Sequence, residues 1–271
     1  MISSFFFIPY AVGDEKEIYT GLLWLIIALG PLLFLQRALH REIQSIFLMV
    51  TRREDVTMVL FSILFFPGVL LHEGSHYLTA RLLGVRTGRF SILPKPLPNS
   101  RLQLGYVETA GADPLREALI GAAPLLAGGL FVAFAGINRL ALPSLWIHVQ
   151  DGGLATVWRS LPAMTSQPDF WLWFYLLFTV SSTMLPSASD RRAWLPLALA
   201  GALLLGISLL AGAGPWLFQN LAPWLTRLFN AAAAVFFMSD FAHVAFFIPA
   251  FILEKLLLYV FFTPFHRVEK R

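Results

Sequence analysis

The sequence predicts an all-α polytopic membrane protein of about six transmembrane helices, with a short β-hairpin-like segment after the second helix. Three observations carry that expectation. More than half of the 271 residues are hydrophobic and only 13% are charged, too apolar for an ordinary soluble domain. Several runs supply the roughly 20 apolar residues that one helical crossing needs. Between residues 84 and 116, helical patterning gives way to alternation and turn residues.

The first span is expected over residues 19–39, followed by a basic, partly amphipathic connector over 41–55. The second, 56–83, ends at Gly84, a reasonable helix stop. Its 28 residues exceed one crossing, so its last turns should stand outside the bilayer or in a polar cavity. RFSIL and LQLGYVE then read as strands, and PKPLPNS between them is turn chemistry. The third span, 117–142, carries Gly121-Ala122-Ala123-Pro124 and Gly128-Gly129, small residues that let helices approach closely. Residues 143–169 read as a polar loop. The fourth span is 170–185, ended by the segment TMLPSASD, and the fifth is 193–212. The last apolar block, 224–262, should be kinked or divided at Pro249, and a seventh span results if it re-enters. Three regions follow: an N-terminal span and connector (1–55), a membrane core (56–192), and C-terminal helices with a basic tail (193–271).

The chain has no cysteine, which excludes disulfides, thiol chemistry and a Cys-ligated metal. Its net charge of +4 reads as basic loops on the cytoplasmic face rather than as a nucleic-acid surface. No nucleic-acid partner is expected. The N-terminus lacks the basic region of a cleavable signal peptide. Placing the hairpin, the Asp190 end and the C-terminus on one side gathers most Lys and Arg there and makes that side cytoplasmic; Arg52 and Arg53 oppose this.

Inside the second span lies His72-Glu73-Gly74-Ser75-His76. Ionisable groups in a membrane helix are costly and mark function. His72 and His76 are four residues apart, one turn on the same helix face, so both can bind one metal ion. Glu73 is rotated from His72 by about 100° and suits a general base acting on a metal-activated water. A catalytic zinc usually has three protein ligands. Asp190 is preferred for the third on charge and position. Asp240 and His243 in the last apolar block are alternatives, as ligands or as groups that orient one, and His148 is a weaker one. Two imidazoles and a carboxylate suit a single zinc ion.

These features resemble the site-2 protease family of intramembrane zinc metalloproteases. The resemblance spans about residues 56–192: HEGSH late in a span, a β-rich segment after it, GAAPLLAG like the family's Gly-Pro motif, and TMLPSASD like its Asn-x-x-Pro motif with a ligand Asp. It implies His72, His76 and Asp190 as zinc ligands and Glu73 as base. The chain differs in having Thr183 at the Asn position, Asp190 one residue closer to Pro186, and Arg191 where Gly is usual.

The expected function is hydrolysis of a peptide bond in or near a transmembrane segment of a membrane protein. The substrate helix would unwind and pair with an open strand edge, at residues 90–93 or 102–107. No stretch is long enough for a soluble sensing domain, so an unseen regulator or a homodimer is a possible partner. The alternatives are another membrane zinc hydrolase, which would need a late ligand such as Glu254, and a non-catalytic scaffold or metal-binding protein, which has no use for Glu73.

Overall fold

The computed structural model describes residues 16–92, 95–97 and 101–262. It is helical apart from two small antiparallel strand pairs. In chain order the elements are α1 (Lys16–Thr51), α2 (Glu54–Leu82), β1 (Thr87–Ser91), β2 (Lys95–Leu97), β3 (Arg101–Gln103), β4 (Tyr106–Thr109), α3 (Pro114–Asn138), α4 (Leu142–Thr165), α5 (Phe170–Thr183), α6 (Trp194–Leu210), α7 (Gly214–Asn220) and α8 (Ala222–Phe262).

Four helices, α1, α2, α3 and α8, are long and apolar enough to cross a membrane, and α6 with α7 makes a fifth if that pair, bent by 119°, counts as one span. Their outer faces carry exposed Leu, Ile and Phe, and α6 buries no residue at all. Such surfaces suit hydrocarbon rather than water. The expected fourth span, α5, has 14 residues, short of a crossing on its own. It stands inside the bundle against α2, α3 and α8, with Leu177, Thr179 and Ser181 fully buried.

Local chemistry sets the breaks. α1 runs through most of the expected connector, to Thr51, and the chain reverses at Arg52, whose φ is 53°. The Thr51 hydroxyl bonds the Phe47 carbonyl and lies 3.1 Å from that of Thr57, tying the turn together. Gly84, at φ 71°, ends α2 as expected, a conformation that costs glycine little. Asp113 caps α3 by accepting from the Arg116 amide, with Pro114 at the first helical position.

Three expectations are corrected. Residues 143–169, expected as a loop, are mostly α4; Pro143 stands in its first turn, where proline is tolerated, and the polar residues were mistaken for a loop signal. Pro249 does not divide the last block: α8 is continuous over 41 residues. The C-terminal end of α8 does not share a side with the hairpin. α1 and α8 run parallel, Gly21 lying against Phe229 and Ser45 reaching Glu254 at 3.4 Å. The Arg52 guanidinium stacks over Phe261 at 5.7 Å, so α8 ends at the α1–α2 turn, opposite the hairpin. Arg267, Lys270 and Arg271 lie outside the described residues, and the charge asymmetry loses its C-terminal support. The turn residues 93–94 and 98–100 also lie outside them.

Glycine sets the helix contacts around the core. A Cβ on Gly68 would overlap the Thr179 carbonyl of α5, and one on Gly128 would overlap Met184. Nothing lies within 4 Å of such an atom at Gly201 in α6. Gly68→Ala should therefore cost about 1–3 kcal/mol through overpacking. Gly201→Ala should be neutral or slightly stabilising. Thermal unfolding in detergent compares them, and equal midpoints would contradict the α2–α5 contact.

Candidate metal centre

The α-helical period brings His72 and His76 together, with their Nε2 atoms 3.3 Å apart. Each ring is oriented by a main-chain carbonyl of another element. His72 Nδ1 donates to the Thr183 carbonyl at 2.6 Å, and His76 Nδ1 donates to the Ile120 carbonyl at 2.8 Å. A carbonyl only accepts, so each neutral ring carries its proton on Nδ1 and presents a bare lone pair at Nε2. The Thr183 carbonyl is free for this because it ends α5, where helical carbonyls lack partners.

Asp190 completes the group. Its Oδ1 lies 3.4 Å from His76 Nε2 and its Oδ2 lies 3.9 Å from His72 Nε2. With each neutral ring holding its proton on Nδ1, the two Nε2 lone pairs and the Asp190 carboxylate converge on one point, which suits a cation. His72, His76 and Asp190 form the one such group among the described residues that could hold a metal ion.

The loop after α5 delivers Asp190 through its own hydrogen bonds. The Ser187 amide and hydroxyl both donate to Asp190 Oδ2, at 2.7 and 2.6 Å, which leaves Oδ1 free for an ion. Arg191, the residue standing where the resembled motif has Gly, turns back and donates from Nε to the Ser187 carbonyl at 3.2 Å. Gly121 lets this loop approach, because a Cβ there would overlap the Asp190 carbonyl. α3 packs on α2, as its small residues 121–124 lead one to expect, and it does more: Gly121 makes room for the Asp190 loop, while the neighbouring Ile120 carbonyl accepts from His76.

The other ligand candidates fall outside the group. His243 is fully buried on α8; its Nδ1 donates to the Ser239 carbonyl at 2.8 Å and its Nε2 accepts from the Ser182 hydroxyl at 3.0 Å. Gln36 of α1 donates to the Ser182 carbonyl at 2.5 Å. His243 and Gln36 therefore clamp the end of α5 beside Thr183, and His243 acts on the site at one remove. Asp240 has a buried Oδ1 with no partner among the described residues. Glu254 pairs with Lys255 at 2.9 Å. The helix α4 carries His148, whose side chain lies outside the described ones.

The group opens into a cavity of about 870 Å³, lined also by Glu73, Thr183, His40 and residues 104–107. Glu73 has no ion pair or hydrogen bond among the described residues. Gly105 lies directly against it: a Cβ there would be 2.7 Å from Glu73 Cγ. Sequence reasoning did not single out Ser187, Gly105 or His40. Ser187 had a signal in its three-residue spacing to Asp190 among small polar residues; the other two had none.

Comparison with protein-family models, with curated proteins and with solved structures finds no match in any of the three. The protein should bind one divalent ion per chain. His72→Ala, His76→Ala and Asp190→Ala should each abolish near-stoichiometric binding, whereas Glu73→Gln should retain it. Ser187→Ala should weaken affinity by about 10–100-fold, as loss of a ligand-orienting partner does. Metal analysis of purified protein after dialysis reads all five.

Proposed function

We propose that the protein is an intramembrane zinc metalloprotease of the site-2 protease type, cleaving a membrane-spanning polypeptide. The observation that carries this reading is the combination of a His-His-Asp acceptor group with an uncommitted carboxylate, Glu73, in one cavity. The spacing of the group supports zinc. Tetrahedral ligands at about 2.1 Å from the ion stand about 3.4 Å from one another; the two histidine Nε2 atoms are 3.3 Å apart, His76 Nε2 is 3.4 Å from Asp190 Oδ1, and all three ligand atoms lie within 4.8 Å of one another. Both imidazoles are already in the ligating tautomer.

Bound there, zinc would supply a Lewis acid and lower the pKa of an attacking water. The rest is the work of the chain. The cavity admits water that hydrocarbon would exclude. Glu73 takes the proton of the attacking water and passes it to the amine nitrogen as the peptide bond breaks. Gly105 confines the Glu73 carboxylate from the strand side.

The strands suit the other requirement, an unwound substrate. β4 pairs with β1 along one edge, Phe90 opposite Val107, and among the described residues no strand pairs with its other edge. Residues 104–107 line the cavity and those of β1 do not, which favours β4 over β1 as the docking edge.

A metal carrier or scaffold would have no need of Glu73, and a hydrolase using Glu254 would need that residue near the histidines rather than beside Lys255. In proteoliposomes holding a model transmembrane substrate, Glu73→Gln should lower kcat by about 10²–10⁴-fold while zinc stays bound. Gly105→Ala should displace the carboxylate and lower kcat by about 10–100-fold, also with zinc bound. Wild-type turnover in the Glu73→Gln variant would overturn the reading.

A further inference from the structure

His40 lines the same cavity from α1, a helix that packs on α8 and α2 rather than on the strands. Its ring is wedged edge-on against Phe61 at 5.3 Å and Phe65 at 4.6 Å. Its Nε2 is buried and has no hydrogen-bond partner among the described residues. An unpaired buried polar atom of this kind costs free energy until something binds it. Nearby hydroxyls do not satisfy it, because their protons are spent. Ser182 donates to His243, and Thr183 donates to the Thr179 and Val180 carbonyls.

We infer that His40 is a substrate-binding residue, hydrogen-bonding a main-chain group of the unwound segment in the cavity. This rests on the protease reading above. A segment that adds to β4 satisfies its amides and carbonyls along one edge only. Its other edge faces the cavity, where a protein group held in place can fix it better than mobile water does. A neutral imidazole can meet either need, donating to a carbonyl or accepting from an amide. The aromatic clamp of Phe61 and Phe65 holds the ring in place before the substrate arrives.

The test measures binding apart from turnover. Zinc-loaded Glu73→Gln protein in proteoliposomes is titrated with a fluorescent model transmembrane peptide carrying a central Gly-Pro break. Adding His40→Phe should raise Kd about tenfold, and adding His40→Gln should return most of the affinity. In the active background His40→Phe should raise KM similarly, leave kcat within threefold and leave zinc content unchanged. An unchanged Kd in His40→Phe overturns the inference alone. Loss of zinc in both His40 variants overturns it in favour of a structural role. Failure of the active background to cleave any membrane peptide overturns the protease reading, before His40 is touched.

Discussion

The close approach of α2 to α5 at Gly68 is the constraint on which the site depends. With no side chain at Gly68, the Thr179 carbonyl fits against the α2 backbone. One turn further along both helices, the Thr183 carbonyl then reaches His72 Nδ1. Any residue larger than glycine would push α5 outward and take that carbonyl with it. The same device recurs at Gly128 against Met184 and at Gly121 against the Asp190 loop. In a bilayer, apolar side chains gain little by leaving lipid, so close backbone contact of this kind is a principal source of helix association. Here it also fixes the ligands, because two main-chain carbonyls and one loop are what orient the three groups.

Polar groups in this bundle divide into those that hold the scaffold and those that await something. Ser182, His243, Ser239 and Gln36 satisfy one another between α1, α5 and α8. They join those three helices through hydrogen bonds. Around the cavity stand the Nε2 atoms of His72 and His76, Asp190 Oδ1, the Glu73 carboxylate and His40 Nε2, the last buried without a partner among the described residues; Asp240 Oδ1, on α8 and outside the cavity lining, is buried without one too. A cation held by His72, His76 and Asp190 would bind the folded chain alone and so would stabilise it.

Legibility in the sequence followed the range of the determining interaction. HEGSH was legible because its geometry is set within one helical turn, and the Gly84 stop because a positive φ is a local demand. Asp190 was legible as an acid after a proline at the end of an apolar run. α4 was misread because Pro143, Asp151 and Gly152-Gly153 are loop signals taken singly, and nothing local reveals a helix that leans on its neighbours. At Pro249 the local rule allows a kink or a division, and the division does not occur: α8 runs on through it, packed along α1. The end at which α8 finishes was set by that packing, so charge counting alone placed it wrongly. His40 and Gly105 matter only through residues far away in the chain, to which composition and periodicity are blind.

The loop that carries Asp190 is held by its own side chains. Asp190 stands one residue closer to Pro186 than the resembled motif has it, yet its Oδ1 is 3.4 Å from His76. The short path works because Ser187 folds the loop back with two bonds to Asp190 Oδ2, and because Arg191 fastens the same turn through the Ser187 carbonyl. Glycine after the ligand is then unnecessary, since the turn is held by side chains rather than by backbone freedom. Thr183 presents a different case. Its hydroxyl is committed to its own helix, donating to the Thr179 and Val180 carbonyls. Its carbonyl, which any residue would supply, is what the site uses. In the same cavity α1 places the His40 ring, whose Nε2 has no partner among the described residues.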